Sequence, residues 1–196
     1  QIFVHGYDLS GDVAAIDNAG SPRNLLDLTA INSSGTERLV GLSDGNLAVS
    51  SWFNDATEQE HAAFSGLVTT DRILTWAFGA TRGDVAACLV AKQLNYDGTR
   101  GTDGSLSFSV DSQADGISLD WCNTLTTGKE THSSAGSSTS RDDGAGTTAG
   151  MVGYLEITDL DSGTATVTIQ ESSDNGSSDA WVNVMVFSTV AAAAAP

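Results

Sequence analysis

The stretch RLVGLSDGNLAVSSWFNDATEQEHAAFSG, residues 38–66, contains the clearest structural signals in the chain. Its pattern predicts a strand, a tight turn, a second strand and a helix. Residues 43–46, SDGN, are of the types that favour a sharp reversal with positive φ, and apolar residues flank them on both sides. From Leu47 to Phe53 the side chains alternate in a way that is typical of a half-buried antiparallel strand.

The period then changes to that of a helix near residues 55–65. Asp55 is a residue type that caps helices, and Glu58 follows three residues later, as a capping box requires. Gly66 is suited to the left-handed position that ends a helix. The remainder of the chain predicts strands and polar loops, so we expect this helix to pack against a sheet.

Composition supports a β-rich fold. The chain has 196 residues, 40% of them hydrophobic and only 17% charged, with 21 glycines, which is typical of short strands joined by many turns. We predict a mainly β protein, an antiparallel β-sandwich or barrel with one flanking α-helix, plus a C-terminal β segment. The predicted units are a β domain over residues 1–122, a Ser/Thr/Gly-rich loop or linker over 123–150, and a C-terminal β segment over 151–196. We expect the last unit to continue past Pro196.

The charge of the chain argues against several classes of partner. The formal net charge is −17, and the sequence pI is about 4.1. Tight nucleic-acid binding needs clustered Lys and Arg, which this sequence lacks. The same charge disfavours anionic membranes, and we predict no membrane partner. It suits a protein surface in water, or a channel wall along which a polyanion passes.

Cys88 and Cys122 are the only cysteines. Two cysteines in a chain of this length do not constitute a disulfide framework, so two buried, reduced thiols are the favoured interpretation. A single bridge stays open, because the sequence does not give the distance between the two Cα atoms.

No catalytic constellation is visible in the sequence. His5, His61 and His132 lie far apart, and no nucleophile elbow, zinc-binding helix motif or phosphate loop is present. We therefore predict no enzymatic activity, no catalytic residues and no cofactor.

Acidic turns offer weak candidates for a calcium site. Calcium prefers oxygen-rich loops, but the spacing here matches no known loop pattern, and we predict no metal site. The weak candidate ligands are Asp159, Asp161, Asp174 and Asp179.

The order of these features resembles the tail tube (major tail) proteins of long-tailed bacteriophages. The segments that are similar are LLDLTAINSSGTERLVGLSDGNLAVSSWFN (residues 25–54), DATEQEHAAF (55–64), TWAFGATRGDVAACLVAKQLNYD (75–97) and GYLEITDLDSGTATVTIQESSDNGSSDAW (153–181). The turn G-L-x-D-G is the sharpest part of this likeness.

The resemblance implies a structural virion protein that assembles with itself into stacked, hexameric rings. These rings would form a tube through which DNA leaves the capsid without being specifically bound. Other tail proteins are the further implied partners. The implied location is the phage tail of the virion, after assembly in the host cytoplasm.

Stacked rings need head-to-tail contacts, which flexible loops and open strand edges can supply. We expect residues 32–40 and 123–150 to make such contacts and to become ordered only in the assembly. The individual candidates are Asn32, Ser34, Thr36, Arg38, Val40, Leu125, Lys129, His132 and Arg141.

Two alternatives stay open. The first is a secreted or surface β-sandwich module that binds carbohydrate through exposed tryptophans and calcium through its acidic turns. The second is another virion part, such as a capsid decoration protein, which would share this composition.

Overall fold

The computed structural model describes residues 1–146 and 148–192. The expectation that the chain continues past Pro196 lies outside these residues. The single helix, α1, spans Glu60–Phe64. The strands are β1 (Ile2–Val4), β2 (Tyr7–Asp8), β3 (Val13–Gly20), β4 (Arg23–Asp27), β5 (Arg38–Ser43), β6 (Asn46–Trp52), β7 (Arg72–Ala77), β8 (Val85–Gln93), β9 (Asp97–Arg100), β10 (Leu106–Ala114), β11 (Asp120–Asn123), β12 (Thr164–Ala165), β13 (Thr168–Glu171), β14 (Val182–Val186) and β15 (Val190–Ala191).

One large antiparallel sheet dominates the fold. Its nine strands follow the order β2-β1-β7-β8-β10-β6-β3, with β11 also paired to β8 and β9 to β10. The prediction of a mainly β, antiparallel fold with one flanking helix is confirmed. Among the described residues no ladder joins β2 to β3, so the sheet does not close into a barrel. A cavity of about 390 Å³, lined by residues 13–16 of β3 together with Ile2 and Trp76, lies at this opening.

One face of the sheet, called here the inner face, forms the core. Register explains this, because Val4 lies opposite Leu74 and Leu74 lies opposite Leu89, so apolar residues of successive strands stand in rows. Phe64 of α1 is 1% exposed and packs into the same cluster. The buried members are Ile2, Val4, Leu9, Leu47, Val49, Ala63, Phe64, Leu74, Ala87, Leu89, Ala91, Val110 and Leu119.

The helix forms near the predicted place but not with the predicted cap. It is only five residues long, and Glu58 has a φ of 61°, which is outside the helical region. Gln59 occupies the N-cap position and makes no side-chain capping bond. The capping box of Asp55 and Glu58 was therefore a wrong prediction. The Asp12 carboxylate accepts a hydrogen bond from the Glu60 amide at 3.0 Å instead, so the capping group comes from a distant part of the chain.

A buried carboxylate ties this helix to the sheet. Glu60 is 0% exposed and accepts hydrogen bonds from Ser51 Oγ at 2.8 Å and from the Tyr96 hydroxyl at 3.0 Å. The Tyr96 hydroxyl also lies 2.9 Å from His61 Nδ1. The pKa of the Tyr96 hydroxyl is raised, chiefly by burial and to a smaller extent by the hydrogen bond to Glu60. Because these polar groups satisfy one another, they can be buried beside the core.

The predicted turn at residues 43–46 is not a reversal. β5 and β6 do not pair with each other; β6 pairs with β3 and β10, and β5 pairs with β4. Gly20 lies opposite Asn46, and Arg23 lies opposite Ser43, so β3–β4 and β5–β6 form the two sides of one long hairpin. The chain reverses at residues 28–37 instead.

Gly45 is required for close approach and not for positive φ. It is not among the residues with positive φ, which corrects the turn geometry expected from the sequence. A Cβ at this position would stand 2.3 Å from the amide nitrogen of Leu119. The backbone of residues 118–119 therefore fits against the middle of the long hairpin only if a glycine is there.

The C-terminal part docks on the outer face of the main sheet. Residues 151–160, called here the strap, are extended and partly buried but form no strand. Beyond the strap, β12 pairs with β15 and β13 pairs with β14. A Cβ on Gly153 would stand 2.6 Å from the Met185 sulfur, so the strap also lies tightly against the β13–β14 pair.

No helix in the described part of the chain has the length and apolar character that a membrane-crossing helix needs.

The close approach at Gly45 can be tested with an alanine. We expect Gly45→Ala to lower the free energy of unfolding by about 1–3 kcal/mol, because the new methyl group overpacks the contact with Leu119. Gly35→Ala is the matched control, since a Cβ at Gly35 meets nothing within 4 Å and its φ is not positive. Urea unfolding of both variants measures the difference. Equal stabilities would contradict this account of Gly45.

Candidate functional site

The outer half of the long hairpin is an exposed apolar projection. Residues 23–43, called here the arm, comprise β4, the reversal and β5, and these two strands pair only with each other in the described part of the chain. Ile31 is fully exposed, at 108% of the reference area, and Leu42 is 91% exposed. The other exposed large apolar side chains of the arm are Leu25, Leu26, Leu28, Leu39 and Val40.

The arm is ordered by its own hydrogen bonds. The Leu28 amide donates to the Glu37 carbonyl at 2.9 Å, and the Glu37 amide donates to Thr29 Oγ1 at 3.0 Å. Ser33 Oγ donates to the Glu37 carboxylate at 3.2 Å. These local bonds hold the arm as a hairpin within one chain. That residues 32–40 and 123–150 become ordered only in an assembly stays a prediction.

The arm is electrically neutral in a strongly acidic protein. Its charged residues are two acids, Asp27 and Glu37, and two bases, Arg23 and Arg38. Neither arginine has an ion-pair partner among the residues that the structure describes. The arm therefore offers apolar surface and two unpaired cations, while the whole chain has a net charge of −17.

The candidates from residues 123–150 lie on a different part of the molecule. They make contacts within the chain, on the segment that follows β11. The contacts are the Leu125 carbonyl with Arg82 Nε (2.9 Å), Lys129 Nζ with Asp8 Oδ2 (3.3 Å), His132 Nε2 with Glu130 Oε2 (3.5 Å) and Arg141 Nε with Asp143 Oδ1 (3.1 Å). Lys129 and Arg141 are ion-paired, whereas Arg38 on the arm has no ion-pair partner among the described residues, so the arm is the better candidate for contacts between subunits.

The acidic turns do not form one metal site. The Asp174 carboxylate accepts hydrogen bonds from the amides of Ser177 (2.9 Å), Ser178 (2.6 Å) and Asp179 (3.1 Å). Desolvation alone would raise the pKa of Asp174, but these backbone donors outweigh it and the pKa is lowered. Asp159 lies elsewhere, in a small cleft beside Asp8. No group of three or more potential metal ligands occurs within residues 1–146 and 148–192.

One group of three aromatic side chains, of which two are exposed and one is half-buried, does not make a flat platform. Trp76, Phe78 and Trp121 are in contact, with ring centroids 4.4 Å apart for the first pair and 5.9 Å for the second. Their planes are inclined by 49° and 80°. Sugar rings stack on broad, flat aromatic faces, and these inclined rings do not form one such face.

Glu156 of the strap is a partly buried carboxyl that sequence analysis did not identify. Its Oε2 accepts from the Gly6 amide at 2.7 Å, and its Oε1 accepts from Thr75 Oγ1 at 3.3 Å. Burial raises the pKa of Glu156 to about 7, although these hydrogen bonds oppose the change. The only sequence signal is an acid within the otherwise apolar run GYLEI, and its partners lie far away in the chain.

Comparison with known proteins gives a limited result. No protein-family model matches the sequence, and no curated protein matches it. One similar solved chain is from the tail of an empty gene transfer agent particle with C6 symmetry, at 16% identity and a TM-score of 0.42, covering 59% of this chain and 91% of that one. Another is from the virion of a native gene transfer agent particle, at 15% identity and a TM-score of 0.44, covering 62% and 95%. No function follows from a likeness this weak.

The buried carboxyl makes a specific prediction for pH. Unfolded Glu156 titrates near 4.5 and the folded group near 7, so the folded state keeps a proton that the unfolded state loses between these values. The stability due to this group is fully present below pH 4.5 and is lost as the pH rises to 7, by about 3 kcal/mol at most. We expect Glu156→Gln to remove this fall when urea unfolding is measured from pH 4.5 to 8.

Asp159→Asn is the matched control, because Asp159 is an exposed acid on the same strap. It should leave the pH dependence of the parent protein unchanged. Parallel curves for the parent and Glu156→Gln would refute the assignment to Glu156.

Proposed function

We propose that this chain is a structural subunit of a long-tailed phage-type particle, and that it assembles with copies of itself into stacked, hexameric rings of a tail tube. The observation on which this rests is the ordered, apolar arm. A hairpin that exposes seven large apolar side chains, two of them almost completely, is costly for a protein that works alone. Covering this surface with neighbouring subunits removes that cost.

The arm can supply the free energy that assembly needs. Full burial of one Leu- or Val-sized side chain is worth about 1.5–3 kcal/mol. Several such side chains together match the roughly 4–15 kcal/mol that association costs in lost freedom. The two unpaired arginines, Arg23 and Arg38, add attraction to the acidic surface of another copy.

The arm also has free backbone donors and acceptors. Each of its two strands is paired on one edge only. An unpaired strand edge joins readily to a strand of another chain. The arm of one subunit meeting a different surface on the next is a heterologous contact, which builds closed rings or open stacks.

The acidity of the chain suits a conduit. A ring of subunits, each with a net charge of −17, repels a passing polyanion. In this proposal DNA passes through without specific binding, other tail proteins meet the ends of the tube, and the protein resides in the virion. The subunit contacts are residues of the arm, such as Asn32, Ser34 and Thr36, with Arg38 and Val40, and the segment 123–150 is a secondary contact.

The division of the chain follows the same proposal. Residues 1–122 form the ring-building β domain, 123–150 form a connection, and the segment from 151 onward is an appended β unit. Support comes from the register, since every strand of the main sheet lies within residues 1–123.

The arm can be tested by truncating its most exposed side chains. We expect the double variant Ile31→Ser, Leu42→Ser to raise the concentration needed for assembly by about 10–100-fold, because two apolar side chains no longer become buried between subunits. Sedimentation and negative-stain microscopy measure assembly. Below the concentration at which the parent assembles, the melting temperature should stay unchanged, since both side chains are exposed in the single subunit.

Leu94→Ser is the matched control, as Leu94 is a leucine outside the arm that is 60% exposed. It should assemble like the parent. Normal assembly of the arm variant would contradict the proposal that the arm joins subunits. A parent protein that stays monomeric at high concentration would contradict self-assembly itself.

The conduit role makes a separate prediction about DNA. At about 0.15 M salt, assembled particles should not retain linear duplex DNA in a filter-binding or gel-shift assay, because the acidic surface repels phosphate. Tight retention that weakens steeply with salt would contradict a conduit and point to a DNA-binding surface that the net charge does not reveal.

A further inference from the structure

The two cysteines lie side by side on the outer face of the main sheet. In the ladder between β8 and β11, Cys88 lies opposite Asp120 and Cys122 lies opposite Ala86. The two side chains are therefore diagonal neighbours on one face of an antiparallel pair. They belong to one packed cluster, in which Cys122 lies against the buried Cys88. Both are free thiols in the structure.

The strap is fixed to the sheet on both sides of Cys88. Thr75 of β7 and Asp120 of β11 are the two residues directly opposite Cys88. Glu156 accepts a hydrogen bond from Thr75 at 3.3 Å, and Tyr154 donates one to Asp120 at 2.6 Å. Tyr154 also packs against the cysteine cluster. The strap thus covers the thiol pair.

This cover keeps the thiols unreactive. Burial raises the pKa of Cys88 to about 12, and it raises the pKa of Cys122 as well. Only the thiolate attacks a disulfide, so the closed strap leaves very little of the reactive form near neutral pH. Lifting the strap would return water to both sulfur atoms and restore ordinary thiol chemistry.

We propose that Cys88 and Cys122 are a strap-gated dithiol that a small-molecule disulfide, such as oxidised glutathione, converts into an intrachain cross-link between β8 and β11. The Cys122 thiolate attacks first, because Cys122 is less buried than Cys88. A mixed disulfide forms and one small thiol leaves. The Cys88 thiolate then attacks the Cys122 sulfur and displaces the second small thiol. The protein loses two electrons, and the small disulfide gains them as two thiols.

The fold can accommodate this bond. A disulfide needs its Cβ atoms about 3.5–4.5 Å apart, which is closer than a relaxed diagonal pair. β11 has only four residues and pairs only with β8 among the described residues. The bond therefore requires a local movement of β11 towards Cys88, between its fixed neighbours Leu119 and Thr124, that breaks no second ladder.

The test is oxidation of the full-length chain in a glutathione redox buffer, followed by alkylation of remaining thiols and peptide mapping by mass spectrometry. We expect an intrachain Cys88–Cys122 disulfide in the parent, formed slowly. Tyr154→Ala should accelerate its formation by at least about tenfold, because the thiols lose their cover. Tyr154→Phe, which keeps the ring and loses the bond to Asp120, is the matched control and should react at a rate between the two. Cys88→Ser should stop at a mixed disulfide on Cys122.

Other outcomes would overturn the proposal. Mixed disulfides on both cysteines of the parent, or bonds between chains, would show that the two sulfur atoms do not reach each other. An equal oxidation rate in the parent and in Tyr154→Ala would show that the strap does not control access. Neither result depends on whether the protein assembles into rings.

Discussion

One antiparallel ladder determines both the stability of this protein and its proposed ability to assemble. Residues of β3 and β4 run beside those of β6 and β5 as a single long hairpin. The inner half lies in the main sheet, where Leu47 and Val49 are buried. The outer half packs on no second layer among the residues that the structure describes, although its side chains are just as apolar. The core holds the base of the hairpin, and hydrogen bonds within the arm hold its outer half.

The strand pattern was predictable because it is local. Alternation from Leu47 onward indicated β6, and the helix formed within the predicted range of residues 55–65, although only over Glu60–Phe64. The N-terminal cap of α1 and the path of the chain at residues 43–46 were not predictable, since the sequence at each site is compatible with more than one local structure. Asp55 and Glu58 have the composition of a capping box, but Asp12 from another part of the chain provides the capping carboxylate. The residue types near a helix start do not show whether a carboxylate from a distant part of the chain will occupy the capping position.

The functional features were hidden for a related reason. Apolar residues of the arm look like those of a core strand, and only the tertiary structure shows that nothing covers Leu42. Glu156 looks like one of many acids in an acidic protein, and its altered pKa arises from burial beneath partners about 80 and 150 residues away in sequence. Exposure and burial are properties of the whole fold, so composition does not encode them at single positions.

Charge and apolar surface act against each other in this molecule. Bringing together subunits with a net charge of −17 costs electrostatic free energy, and this cost grows with every copy added. Subunits that met through an acidic surface would repel each other at the contact itself and would not associate. The arm instead has balanced charges, and its apolar side chains gain free energy that salt does not screen. In the proposed tube, acids elsewhere on the surface would keep a polyanion from adhering. If subunits meet through the arm, as proposed, its balance of two acids and two bases keeps this repulsion away from the contact.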